Sequence, residues 1–147
     1  RPLTIAWGNP QETECNRIAA LEIVVLYGAD MNNLSMRHFA YDPCSSRRGS
    51  NYFSDPGPEQ KRIGEKDFKY EVSLAPITNG ILARIMPIYA DTPLAVTTNN
   101  PSRRLPIQGK VIEAVGKSGE TQRKIIVVQG NPKLPLELFP YTLFTPQ

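Results

Sequence analysis

Residues 17–33 read RIAALEIVVLYGADMNN, and from Ile18 to Tyr27 every side chain except Glu22 is apolar or amphipathic. A run of this kind constrains the fold more than any other feature of the chain. A surface helix carries one apolar stripe and a polar opposite face, whereas this segment is apolar nearly all round. A membrane-spanning helix needs about 20 consecutive apolar residues, more than the run contains. The segment must therefore be buried on more than one side by protein.

Periodicity reads it as a helix. Ile18, Leu21, Val25 and Gly28 form an i, i+3, i+7 stripe, with Val24 and Met31 beside it. Upstream, NPQE resembles a helix start, with Asn9 as N-cap, Pro10 at the first helical position and Glu12 completing a capping box. The expected helix covers about residues 10 to 35. Gly28 falls inside it at a cost of about 1 kcal/mol relative to alanine, which marks close packing or a local bend.

The 14 prolines of the 147 residues exceed the usual share of about 5%, and most follow residue 42, which disfavours a second long helix. Residues 42–66 are rich in Ser, Pro, Gly and charge and read as a long loop with a turn at Asp55-Pro56-Gly57. Residues 67–130 are strand-like. FKYEVSL alternates, with Phe68, Tyr70, Val72 and Leu74 on one face, and GILARIMPIY after Thr78-Asn79-Gly80 reads as its hairpin partner. PLAVTT is a third run, and LPIQGKVIEAV and TQRKIIVVQ flank the turn Gly116–Gly119, a second hairpin signal. Residues 131–147 form a proline-rich tail. The expected fold is α+β in a single domain of residues 1–147: one N-terminal helix packed on an antiparallel sheet of about five strands.

A net charge of +3 and a pI near 9.0 are mildly basic and do not by themselves point to nucleic acid. Cys15 and Cys44 lie outside any C-x-x-C spacing and, with His38, are too few for a structural zinc site. In an oxidising compartment they could form a disulfide tying the helix to the loop after it; two free thiols are the alternative. No catalytic set is visible. His38 is the sole histidine, no G-x-S-x-G occurs, and the carboxylates are dispersed. The Gly-Lys-Ser of VGKSGE lacks the first glycine of a phosphate-binding loop and joins two strands. No catalytic residue, metal or cofactor is expected. Arg47, Arg48, Tyr52 and Phe53 could present a basic and aromatic surface for a partner, as could Arg103-Arg104, Lys61-Arg62 and Arg123-Lys124; solvated loops are the simpler reading, and nucleic acid is not an expected partner. The chain starts at Arg1 without an initiator Met and reads as a processed or truncated product.

Two local patterns resemble the type IV pilins and pseudopilins, minor pilins in particular. ALEIVVLYGADMNNL, residues 20–34, is similar to the segment that leads from the pilin anchor into the globular head, with Glu22, Tyr27, Gly28, Ala29 and Asp30 in comparable places. The end of the chain, EAVGKSGETQRKIIVVQ followed by LFPYTLFTP, is similar to a pilin closing hairpin and its F-x-Y-x-L-F ending, through Arg123, Ile125, Val127, Phe139, Tyr141 and Phe144. The cleavage motif and hydrophobic anchor of a pilin are absent, and Pro10 departs from a continuous pilin helix. The resemblance implies a non-catalytic subunit of an extracellular or cell-surface filament, a type IV pilus or a type II secretion filament, with a role in assembly or adhesion. Its partners would be other pilin subunits in a homo- or hetero-oligomeric filament, and it would meet the membrane through an N-terminal anchor. Ile18, Leu21, Glu22, Ile23, Val25 and Leu26 would pack against the sheet and neighbouring helices. The alternative is a secreted or surface β-rich module that binds protein or glycan without assembling.

Overall fold

The computed structural model describes residues 2–30, 32–58, 60–98 and 105–130. The described residues form ten strands: β1 Leu3–Trp7, β2 Ala20–Gly28, β3 Leu34–Tyr41, β4 Lys61–Ile63, β5 Lys66–Phe68, β6 Tyr70–Leu74, β7 Gly80–Ile88, β8 Leu94–Thr98, β9 Gly109–Ser118 and β10 Thr121–Gly130, and one short α-helix, α1, Ser45–Asn51. The expected N-terminal helix on a five-stranded sheet is therefore incorrect: the chain is predominantly β. Contacts divide it into two compact units, Arg1–Leu105 and Pro106–Gln147.

The first unit is a sandwich of two three-stranded antiparallel sheets, ordered β6-β1-β8 and β3-β2-β7. The central strands are β1 and β2. Ile5 lies between Val72 and Val96, and Ile23 between Phe39 and Ile85. Side chains alternate along a strand, so one face of β1 gives Leu3, Ile5 and Trp7 and one face of β2 gives Leu21, Ile23 and Val25. These two faces meet in a core completed by Val72 and Leu74. The Trp7 indole N–H donates to the buried Ala19 carbonyl at 3.0 Å and so fastens β1 to the chain entering β2. In contrast to the hairpin expected from FKYEVSL and GILARIMPIY, β6 pairs with β1 and β7 pairs with β2, so the connection crosses from one sheet to the other.

The run that reads as a helix is thus a central strand. Ile18, Ile23, Val24 and Val25 are β-branched, a class that suits a pleated surface. A strand covered on both faces loses its polar alternation and shows a continuous apolar run. Ala20 to Val25 are all buried, including Glu22 and Val24 on the face away from the core. Because the segment is a strand, Ile18, Leu21, Glu22, Ile23, Val25 and Leu26 do not form helical packing faces. Leu21, Ile23 and Val25 point into the sandwich instead, and Leu26, on the other face, is half-buried. The NPQE signal makes one turn and no helix: Asn9 Oδ1 accepts the Gln11 N–H at 3.0 Å, and Glu12 Oε1 accepts those of Thr13 and Glu14. Gly28 ends β2 at the backbone of the returning strand, where a Cβ would stand 2.2 Å from the Asn33 carbonyl oxygen. The 42–66 segment holds α1 and the short β4–β5 hairpin.

Ile23→Ala should lower the stability of the chain by about 2–5 kcal/mol in urea denaturation, the usual cost of deleting a fully buried Ile side chain. Ile23→Glu should leave no cooperative transition, whereas Leu26→Glu, at a half-buried position, should retain one. Equal behaviour of the two Glu variants would contradict the strand register.

Candidate functional site

In the first unit several segments that are distant in sequence come together around a candidate site. Cys15 and Cys44 form a disulfide with Cα atoms 5.6 Å apart, joining the β1–β2 connection to the start of α1. Closing 29 residues of sequence in this way reduces the freedom of the unfolded chain by the equivalent of about 3.5 kcal/mol in the chain-entropy account. Beside it lies Asp42, fully buried at the end of β3. Its carboxylate accepts the Cys44 N–H at 2.9 Å, the Asn51 amide at 2.7 Å, and two guanidinium N–H groups of Arg47 at 2.9 and 2.7 Å. Burial alone would raise the Asp42 pKa. The hydrogen bonds from Arg47, Cys44 and Asn51, with the Arg47 charge, outweigh it and hold the carboxyl below its ordinary value.

Arg47 extends this network outward. It donates to the Cys15 carbonyl at 2.6 Å and to the Ile18 carbonyl at 2.9 Å. Its guanidinium also lies over the Tyr89 ring, 4.4 Å from the centroid. Tyr89 has a φ of 76°, a conformation that a bulky side chain adopts only when its surroundings enforce it. Arg47 therefore braces two separate segments, the chain at 15–18 and the turn that begins at Tyr89.

These two segments enclose a pocket of about 350 Å³ together with Tyr70. One wall runs from Gly8 to Ala19 and contains Asn9, Glu12, Asn16 and Arg17; the other is Ala90–Pro93. The walls are joined at the base by the Gly8 N–H, which is shared between Thr92 Oγ1 at 3.0 Å and the Pro93 carbonyl at 3.2 Å. Gly8 has a φ of 86°, and a Cβ there would stand 2.9 Å from the Tyr70 ring. Glycine is thus what lets the ring reach the pocket. Burial raises the Tyr70 pKa above its ordinary value, against the opposing pull of the Arg47 charge and with a smaller push from Asp42. Glu12 and Arg17 pair at 3.2 Å.

The residues singled out from sequence are distributed unevenly around this site. Arg47 has a side chain 18% exposed, engaged by Asp42. Arg48 pairs with Asp55 at 2.7 Å and donates to the Asp42 carbonyl. Phe53 is buried, and Tyr52 is exposed with a φ of 57° at the end of α1. The four do not form one open basic and aromatic surface. His38 sits exposed on β3 opposite Val24. Lys61 pairs with Glu71, Arg62 with Asp67 and Lys124 with Glu113. Arg103, Arg104, Phe139, Tyr141 and Phe144 lie outside the described residues. Among the described residues no group of three His, Cys, Asp or Glu side chains is placed to hold a metal, and no helix is long and apolar enough to cross a membrane. Asp42, Tyr70, Tyr89 and Asp91 were not legible from the sequence, because their roles depend on crossover connections and on one positive φ.

The second unit presents a different kind of surface. In it β9 and β10 pair over their full length, from Gly109↔Gly130 to Ser118↔Thr121. One face carries Val111, Val115, Ile126 and Val128, and the other carries Ile112, Ile125 and Val127. All seven are exposed, from 49% at Val127 to 73% at Val128.

Comparison with protein-family models, with curated proteins and with solved structures finds no match to this chain.

The pH dependence of the site follows from Asp42. Its folded pKa lies below the unfolded value, so the stability it contributes is complete above the unfolded pKa of about 3.9 and is lost as pH falls through the folded value. Urea midpoints measured from pH 6 down to pH 2 should therefore fall in the acid range. Asp42→Asn should be less stable at pH 6 and show a shallower acid decline; a parallel decline would mean that other groups cause it.

Proposed function

We propose that the chain is a non-catalytic structural subunit of a cell-surface or extracellular filament, and that its assembly surface is the β9–β10 hairpin. The observation that carries this reading is the seven exposed Val and Ile side chains on both faces of one hairpin. A two-stranded hairpin is at best marginally stable alone in water. One apolar on both faces has the pattern of strands covered from two sides. Each such side chain gains about 1.5–3 kcal/mol when fully buried, so covering even half of them stabilises an assembly substantially. On the face that carries Val111, Val115, Ile126 and Val128, Glu113 and Lys124 pair at 2.6 Å within the hairpin itself.

The same hairpin carries the Arg123, Ile125 and Val127 pattern that resembles pilin closing hairpins. The Cys15–Cys44 disulfide accords with an oxidising, extracytoplasmic location. In this reading assembly uses strands in place of the helix–helix burial expected at Ile18–Leu26, because β2 is consumed by the core of its own sandwich.

Analytical ultracentrifugation tests the proposal. The chain should self-associate in a concentration-dependent way. Ile126→Lys and Val128→Lys, on one face, should each raise the dissociation constant by at least about tenfold, the effect of losing roughly 1.4 kcal/mol of burial. Both variants should keep the disulfide and the sandwich. A chain monomeric at all accessible concentrations, with unchanged behaviour in both variants, would overturn the assembly reading.

A further inference from the structure

The β3-β2-β7 sheet has a second apolar face, turned away from the core, and Glu22 stands within it. Glu22 is 7% exposed and lies between Ala40 and Met86 of the neighbouring strands. Among the described residues no hydrogen bond or ion pair engages its carboxylate. Arg84, on the same face, donates to Met86 Sδ at 3.5 Å. Around Glu22, Val24 is buried, and Leu26, Met36, Leu82 and Met86 are half-buried. A carboxylate that loses its water without gaining a partner is costly. The face is therefore an apolar surface with one unmet requirement, a positive charge.

The chain itself carries a surface that meets the requirement. The hairpin face of Ile112, Ile125 and Val127 holds two charged side chains, Lys110 and Arg123, both positive, and no acid. On the opposite face the Lys124 charge is already taken by Glu113. The spacing matches as well. Arg123, Ile125 and Val127 succeed one another at two-residue steps along β10, as Glu22, Val24 and Leu26 do along β2, a step of about 6.8 Å in each. Stacking at the usual sheet separation of about 10 Å, with β10 running along β2, sets Arg123 over Glu22, Ile125 over Val24 and Val127 over Leu26. Arg123 suits the carboxylate better than Lys110, because its guanidinium is weakly hydrated and donates in a fork. Its cross-strand neighbour is Gly116, which has no side chain to obstruct that fork. We infer that this hairpin face of one copy docks on the outer face of the β3-β2-β7 sheet of the next copy, with an Arg123–Glu22 ion pair inside the contact. The inference rests on the assembly reading and names the surface that receives the hairpin. Because the two surfaces differ, the contact is head-to-tail, the kind that builds an open filament where its rotation does not close.

A double-mutant cycle read by analytical ultracentrifugation tests this. Glu22→Gln keeps the shape of the side chain and Arg123→Gln changes an exposed one, so both variants should stay folded with the disulfide intact. Each should raise the dissociation constant by about tenfold or more, and the double variant by no more than either alone, as for two halves of one desolvated pair. An equimolar mixture of the two single variants should associate more tightly than either alone, because Arg123 of one then meets Glu22 of the other. Unchanged association in either single variant, additive losses in the double variant, or a mixture no tighter than its components would each overturn the inference. If Ile126→Lys and Val128→Lys still weaken association in that event, the assembly reading survives it. A chain monomeric at all accessible concentrations would overturn both.

Discussion

The ion pair between Arg47 and the fully buried Asp42 is the joint on which the loops at the edge of the sandwich depend. A buried carboxylate is costly unless its charge is matched and its lone pairs are used, and here four hydrogen bonds use them. The same guanidinium then reaches the Cys15 and Ile18 carbonyls and the Tyr89 ring. The disulfide provides a covalent tether at the same place. The apolar core holds the two sheets together, but this polar joint fixes the loops at the edge of the sandwich.

Parts of this architecture could be read from residues alone, and the reasons for success and failure are physical. The β9–β10 pairing was legible because a local hairpin depends on its turn and on flanking alternation, both visible in GKSG and its neighbours. The alternation of Phe68, Tyr70, Val72 and Leu74 also matches their burial, complete or partial. The identity of β2 was not legible from periodicity. A strand buried on both faces and a helix buried all round have the same apolar content. The i, i+3, i+7 stripe at Ile18, Leu21 and Val25 arises automatically when nearly every residue is apolar. The signal that decides the matter is the density of β-branched residues, Ile23, Val24 and Val25 in succession. The capping pattern at Asn9–Glu12 misled for a related reason: Asx and Glu side chains bond nearby amides in tight turns as readily as at helix starts.

The functional surfaces show the same division. The hairpin's exposed Val and Ile residues follow from sequence once the register is known. The pocket does not, because its walls are joined by sheet-to-sheet crossovers that no local pattern encodes. Arg47 illustrates the limit. As a residue next to another arginine in a polar segment it reads as a surface charge, and only the position of Asp42 turns it into a structural brace. What the molecule combines is a disulfide-tied sandwich with a braced pocket and a hairpin that is apolar on both faces.

Native-state hydrogen exchange of the chain and its Arg47→Lys variant tests the role of the joint most directly. Lysine keeps the charge but cannot reproduce the forked contacts to Asp42, Cys15 and Ile18. Exchange should quicken together at the amides of Gly8, Arg17 and Ile18 and across Tyr89–Asp91, with β9 and β10 unaffected. Faster exchange confined to α1, or spread evenly over both sheets, would contradict the account, because it would show that Arg47 stabilises its own helix or the whole sandwich and does not brace the two walls.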